Sequence, residues 1–210
     1  MDTRVKTEYD KNVDGVQCGR SMIEMLGVLA IIGVLSVGGI AGYSKAMEMH
    51  QLNKWLTSLV QMINDIQIAF SNQKYYSNTE EDITDTLVSA NIISSDTIDN
   101  NHKDIFGNKL KAFTINWKDY GLRFEIKYEM IAGKNAVNCC KKLYELVNYY
   151  NNIWAIGDWS SYTICGKSAP LQYKKDMNCQ AYSLNKIMQK CNTCNTQNCN
   201  IGVLFSNNPY

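Results

Sequence analysis

The chain is poor in proline, in histidine and in net charge, and each shortage narrows what it can be. Proline occurs twice in 210 residues, at Pro170 and Pro209, and none interrupts the stretch from Ser21 to Lys74. A helix there has no forced break. Histidine also occurs twice, at His50 and His102, and neither belongs to an H-E-x-x-H zinc helix. No serine elbow motif is present either, so nothing supplies a nucleophile and its base, and an enzyme is not expected. Gly166-Lys167-Ser168 resembles the end of a phosphate-binding loop, but the position that needs the upstream glycine holds Ser161. Those three residues read as a surface turn. The formal net charge is +1, and residues 20 to 210 carry 18 basic and 16 acidic side chains. That balance leaves no electrostatic footprint for a nucleic acid.

What the chain does have is one long apolar run near its start. From Met25 to Ser44 no side chain is charged. Twenty residues at about 1.5 Å each make a helix of about 30 Å, the thickness of a bilayer core. A secretory signal peptide would place its apolar region before a cleavage site, whereas the candidate site here, Gly19, comes before the run. Cleavage after Gly19 would leave the apolar helix on the product. Glu24 stands alone at the mouth of that helix. A carboxylate inside a membrane helix costs roughly 2.5–3.5 kcal/mol even on insertion scales, so it calls for a partner, and the single chain offers none.

These residues resemble the amino-terminal signature of the type IV pilins and their relatives. Gly19 matches the residue before the cut, Ser21 the small hydroxyl position, Met22 and Ile23 the apolar pair, and Glu24 the glutamate fifth in the mature chain. Arg20 departs from the apolar residue usual at the first mature position, and residues 1 to 19 are less basic than a usual leader. The resemblance implies a prepilin peptidase that cuts between Gly19 and Arg20 and methylates the new amino terminus at Arg20. It also implies that Glu24 neutralises the terminal amine of a neighbouring subunit as helices bundle in a fibre core. The domains expected are a leader at 1–19, a transmembrane and assembly half-helix at 20–44, and at 45–210 an amphipathic half-helix with its globular head. The function implied is a structural pilus subunit, polymerising with its own copies through the assembly machinery. It would sit in the inner membrane with a periplasmic head, then in an extracellular filament or periplasmic pseudopilus. The same signature serves a type II secretion pseudopilin or a minor pilin. The cysteine-rich end and a mature length of 191 residues point towards the type IVb kind. A membrane-tethered periplasmic binding domain that keeps its leader is the reading from another class.

Cysteine is concentrated at one end. Of eight, Cys18 lies in the leader, and Cys139, Cys140, Cys165, Cys179, Cys191, Cys194 and Cys199 fall in the last third. No apolar run precedes Cys18, which argues against a lipoprotein cysteine. Beyond a membrane these thiols meet an oxidising compartment, so disulfides are expected, and the odd count leaves one thiol free or paired between chains. Cys191-x-x-Cys194 with Cys199 also has zinc-like spacing, but the compartment favours disulfides, and no metal or other cofactor is expected. Six cysteines alone allow 15 pairings, so none is chosen. The pilin resemblance implies that a staple encloses a C-terminal loop region on the filament surface.

The remaining pattern predicts an α+β fold: a long amino-terminal helix, half transmembrane and half amphipathic, packed on a small antiparallel sheet with a disulfide-stapled C-terminal region. Leu52, Trp55, Leu56, Leu59, Ile63, Ile66 and Phe70 recur at helical spacing. One helix of about 54 residues is expected from Ser21 to Lys74, about 80 Å long. Gly38, Gly39 and Gly42 mark a place where it can loosen or be approached closely. Thr79 to Asp82 offer a cap and acidic first turn for a short helix carrying Ile83, Leu87 and Ala90, with Asn91 as its stop. Alternation predicts strands at Lys111–Trp117 and Leu122–Met130, joined by a turn. A helix is expected over Asn135–Asn152, a strand at Tyr162–Cys165, a helix at Tyr182–Gln189 and a last strand at Ile201–Phe205. The order of these elements loosely resembles a type IVb pilin head. Tyr149, Tyr150, Trp154, Trp159, Tyr162 and Tyr173 are expected in cores and subunit contacts, with an adhesive aromatic surface as the alternative.

Overall fold

The computed structural model describes residues 18–72, 80–117, 121–158 and 163–206. The chain divides into two compact units, Met1–Met49 and His50–Tyr210. The first helix, α1 (Cys18–Ala69), contributes to both. In the first unit its side chains from Met22 to Met47 are all exposed, including the uncharged run from Met25 to Ser44, which has no lipid or protein partner here. In the second unit the pattern becomes a stripe: Leu52, Trp55, Leu59, Met62, Ile63 and Ile66 are buried, and Leu56 and Phe70 pack against them at the margin. The helix ends at Ala69, five residues before the expected Lys74, and starts at Cys18, three before the expected Ser21.

The second unit is α+β. Strands β1 (Glu80–Asp82), β2 (Lys109–Trp117), β3 (Gly121–Met130), β4 (Ile153–Gly157), β5 (Thr163–Cys165) and β6 (Cys199–Ser206) form one sheet in the order β1-β2-β3-β6-β4-β5. Every pairing is antiparallel. The expected hairpin is β2–β3, in register from Lys109↔Glu129 to Trp117↔Gly121; its connecting residues lie outside those described. The last strand enters the middle of the sheet between β3 and β4, so the sheet is complete only when the C-terminal segment is in place.

Strand alternation divides the sheet into two faces. Phe124, Ile126 and Tyr128 of β3 with Ile201, Val203 and Phe205 of β6 join the core formed with α1 and α3 (Lys134–Tyr149). Trp55 lies 5.2 Å from Tyr128 and Phe70 5.0 Å from Phe124, ring centre to ring centre. The other face carries Lys111, Glu125, Lys127 and Glu129, and a smaller cluster of Ile115, Trp154, Ala155, Ala169, Tyr173 and Leu204. Trp154 and Tyr173 are thus core aromatics, Tyr149 is exposed, and Trp159 and Tyr162 lie outside the described residues.

Several elements differ from expectation. Glu80–Asp82 is an edge strand on β2 rather than the first turn of a helix. The short helix α2 (Thr84–Ser89) starts after it, and Asp82 caps its start by accepting from the backbone N–H and hydroxyl of Thr84 at 3.0 and 2.6 Å. Asn91 ends it in a left-handed conformation, φ +56°, as expected of that residue. The helix α3 stops at Tyr149, and residues 150–152, expected to continue it to Asn152, instead turn the chain into β4. A helix not expected from the spacing, α4 (Leu171–Asp176), follows β5, and α5 (Leu184–Thr193) runs further than Gln189.

Candidate functional site

The candidate anchoring and assembly segment is the first part of α1. Its most apolar 18-residue stretch has a mean hydropathy of 2.2 and none of it is buried, and the helix is long enough to cross a membrane. Gly19 and Arg20 fall in its first turn. Glu24 is exposed two residues after the first described side chain, and no cation is recorded in contact with it among the described residues. The helix runs unbroken through Gly38, Gly39 and Gly42, and a methyl group built on any of them would meet nothing within 4 Å. That leaves a strip on which a neighbouring helix backbone can come close. Ser36 donates its hydroxyl to Ile32 O at 2.7 Å, which satisfies a polar group within the apolar run without an outside partner. His50 is exposed at the start of the second unit.

The buried half of α1 is fastened by a group that residue patterns do not reveal. Asp104 is buried and accepts four hydrogen bonds. They come from the Trp55 indole at 2.7 Å, the Asn108 side-chain amide at 3.0 Å, and the backbone N–H groups of Phe106 and Asn108 at 2.9 Å each. Asn108 in turn accepts from the backbone N–H of Ile131 at 3.2 Å. Gly107, at φ +80°, makes the tight turn that closes this loop. Burial raises the Asp104 carboxyl above the ordinary aspartate range although each hydrogen bond pulls it down. Further along α1, Gln67 donates to Ser206 O at 2.6 Å and accepts from the Asn152 side chain at 2.8 Å, tying the helix to the end of β6 and the start of β4.

Six cysteines form three disulfides: Cys140–Cys191, Cys165–Cys179 and Cys194–Cys199. The first joins α3 to α5, the second closes the segment after β5, and the third closes a loop at the entry to β6. Cys191 and Cys194 therefore belong to two bridges, and no group of three metal-ligating side chains is found among the described residues. Among the described residues the free thiol is Cys139, buried in α3. Burial, with the Asp104 carboxylate nearby, pushes that thiol far above its ordinary value, so it is neither nucleophilic nor able to reach another chain. His102 pairs with Asp85 at 3.1 Å on the surface. Gly166-Lys167-Ser168 is a turn, as expected, and it explains its own glycine: a Cβ at 166 would lie 2.0 Å from Ile153 O. Gly166 N donates to Trp154 O at 2.7 Å and the Ser168 hydroxyl to Asn151 O, which fastens the turn to β4.

Compared with known proteins, the chain matches no protein-family model, no curated protein and no solved structure.

Proposed function

We propose that this chain is a structural subunit of the type IV pilin kind, held in the inner membrane by the first part of α1 and polymerised through that helix. The observation that carries the proposal is the pairing of two features on one helix. Side chains from Met22 to Met47 are exposed and uncharged between Met25 and Ser44, and Glu24 stands at the head of that stretch. A simple anchor accounts for the apolar run but not for a carboxylate in its first turns, where its desolvation is costly. Pairing with the new amino terminus of another copy offsets that cost and sets the register between subunits.

On this reading the peptidase cuts after Gly19, the amine of Arg20 is methylated, and lipid around the helix is exchanged for neighbouring helices. The head faces the oxidising side, in keeping with its three disulfides. Glu24→Ala tests it by fractionation: the variant is to be found in the membrane fraction but reduced at least about tenfold in sheared filaments. A filament yield equal to wild type contradicts the role given to Glu24.

A further inference from the structure

Among the described strands β6 comes last in sequence yet lies in the middle of the sheet. β3 flanks it from Met130↔Cys199 to Arg123↔Ser206, and β4 from Gly157↔Gly202 to Ile153↔Phe205. Before β6 docks, β3 and β4 bound a slot whose backbone N–H and C=O groups require a strand. The ladder is the same whether that strand belongs to the same chain or to a second copy, which is the condition for exchange between copies. The composition of β6 does not oppose it. The strand is buried except at Asn200, and Val203, Leu204 and Phe205 are apolar in succession. From Cys191 to Tyr210 no side chain is charged, so an undocked β6 carries no charge that keeps copies apart.

What opposes it is a pair of disulfides in series. Cys140–Cys191 ties α5 to α3, and three residues on, Cys194 at the end of α5 is joined to Cys199, the first residue of β6. That bridge holds the two α-carbons 5.4 Å apart, whereas the five-residue connection fully extended spans about 17 Å. The turn after β3 receives the bent connection. Gly133 N–H donates to Cys194 O at 2.9 Å, and Ala132 N–H to the Asn198 side-chain oxygen at 3.0 Å. Both donors follow Met130 closely, and Met130 is the residue opposite Cys199. A strand that starts there meets its own β3 first. To reach a second copy the connection has to straighten, and the bridge prevents that.

We propose that the slot between β3 and β4 accepts β6 of a second copy while Cys194 and Cys199 are thiols, and that their disulfide reserves the slot for the chain's own strand. Closing the bridge removes one proton from each thiol and two electrons in all; a disulfide oxidant takes them and leaves as two thiols. The exchange involves the second unit alone and is independent of membrane insertion and of polymerisation through α1.

The test refolds full-length chains in detergent micelles as an equal mixture. Half are isotopically labelled, and the unlabelled half carry a benzophenone side chain at Glu129. Glu129 is exposed and stands opposite Asn200 in the ladder, so light links it to whichever β6 lies beside β3. With oxidised glutathione present throughout, the links should run almost entirely to unlabelled β6. With Cys194→Ser and Cys199→Ser in both halves, links to labelled β6 should rise at least about tenfold, and further with chain concentration. A five-residue ring limits the unfolded chain little, so this variant should keep its fold and its other two disulfides. The same exchange is expected without those two substitutions when the oxidant is withheld until refolding is complete. Labelled links that are equally frequent with and without the bridge, or absent from both the variant and the late-oxidised chain, overturn the proposal. So do links from Glu129 to another part of the labelled chain in place of β6, which assign the association to a different surface.

Discussion

The Trp55 indole donates to the Asp104 carboxylate across 2.7 Å, between residues 49 apart in sequence and both buried. The bond joins the buried half of α1 to the loop ahead of β2, and the same carboxylate orders that loop through Phe106 and Asn108. Trp55→Phe keeps most of the ring packing against Tyr128 and removes one donor to a charged acceptor, so a loss of about 1.5–3 kcal/mol is expected from denaturant unfolding. Asp104→Ala removes the acceptor for all four donors and should cost more than Trp55→Phe. Equal stability of wild type and Trp55→Phe would show that the bond contributes nothing net.

Asp104 also gives the head a pH dependence of defined sign. Its folded-state value is raised above the ordinary 3.8, so the folded protein holds the proton more tightly than the unfolded chain does. Its contribution is therefore greatest below pH 3.8 and declines as pH rises through the raised value, then stays level. Asp82 acts in the opposite sense: its value is lowered, because the Thr84 hydrogen bonds outweigh the effect of burial, so its stabilising contribution is lost as the pH falls below 3.8. Measuring wild type against Asp104→Asn isolates the first effect, since the other groups cancel. The stability of wild type relative to the variant should fall between pH 4 and neutrality; a rise over that range contradicts the assignment.

The three disulfides should differ in what their loss costs. The closed segments span 51, 14 and 5 residues, and chain entropy assigns about 4, 3 and 2 kcal/mol to them. Paired Cys→Ala variants, unfolded in denaturant, should rank Cys140/Cys191 as the most damaging, then Cys165/Cys179, then Cys194/Cys199. A greater loss from the 5-residue loop would mean that its work is to guide β6 into the sheet, beyond limiting the unfolded chain.

Cys139 should be chemically silent in the folded protein. A thiol reagent is expected to leave it unlabelled in buffer and to label it after denaturation, because the buried thiol does not ionise. Rapid labelling in native protein would mean that α3 opens.

Much of this architecture was legible in the residue pattern, and the failures have physical causes. The change in α1 from apolar on all sides to a single stripe reads directly from Met25–Ser44 and then Leu52, Trp55, Leu59, Ile63 and Ile66. The β2–β3 hairpin is equally plain because one face is buried and the other charged. β1 was hidden because its three residues, Glu80, Glu81 and Asp82, are all exposed on an edge, where acidic side chains also suit a helix start. β4 was hidden for the opposite reason: Ile153–Gly157 is buried throughout, so it shows no alternation and runs on from the α3 spacing. The disulfide partners and the Asp104 bonds depend on which loops meet in space, and no local pattern encodes that.

The glycines of α1 separate packing from local flexibility. Gly42→Ala meets no steric obstacle in the single chain and should favour its helix by about 1 kcal/mol. If neighbouring helices approach along this strip, the same change should reduce filament yield while membrane insertion is unchanged. Undiminished filaments would place the helix contacts on another face.

The most direct test of the central proposal is the intact mass of the chain in filaments sheared from cells. A species that begins at Arg20, one methyl group heavier and six hydrogens lighter from three disulfides, is the result expected. Absence from the sheared fraction, with the uncut chain retained in the membrane, would contradict assembly and favour a tethered domain.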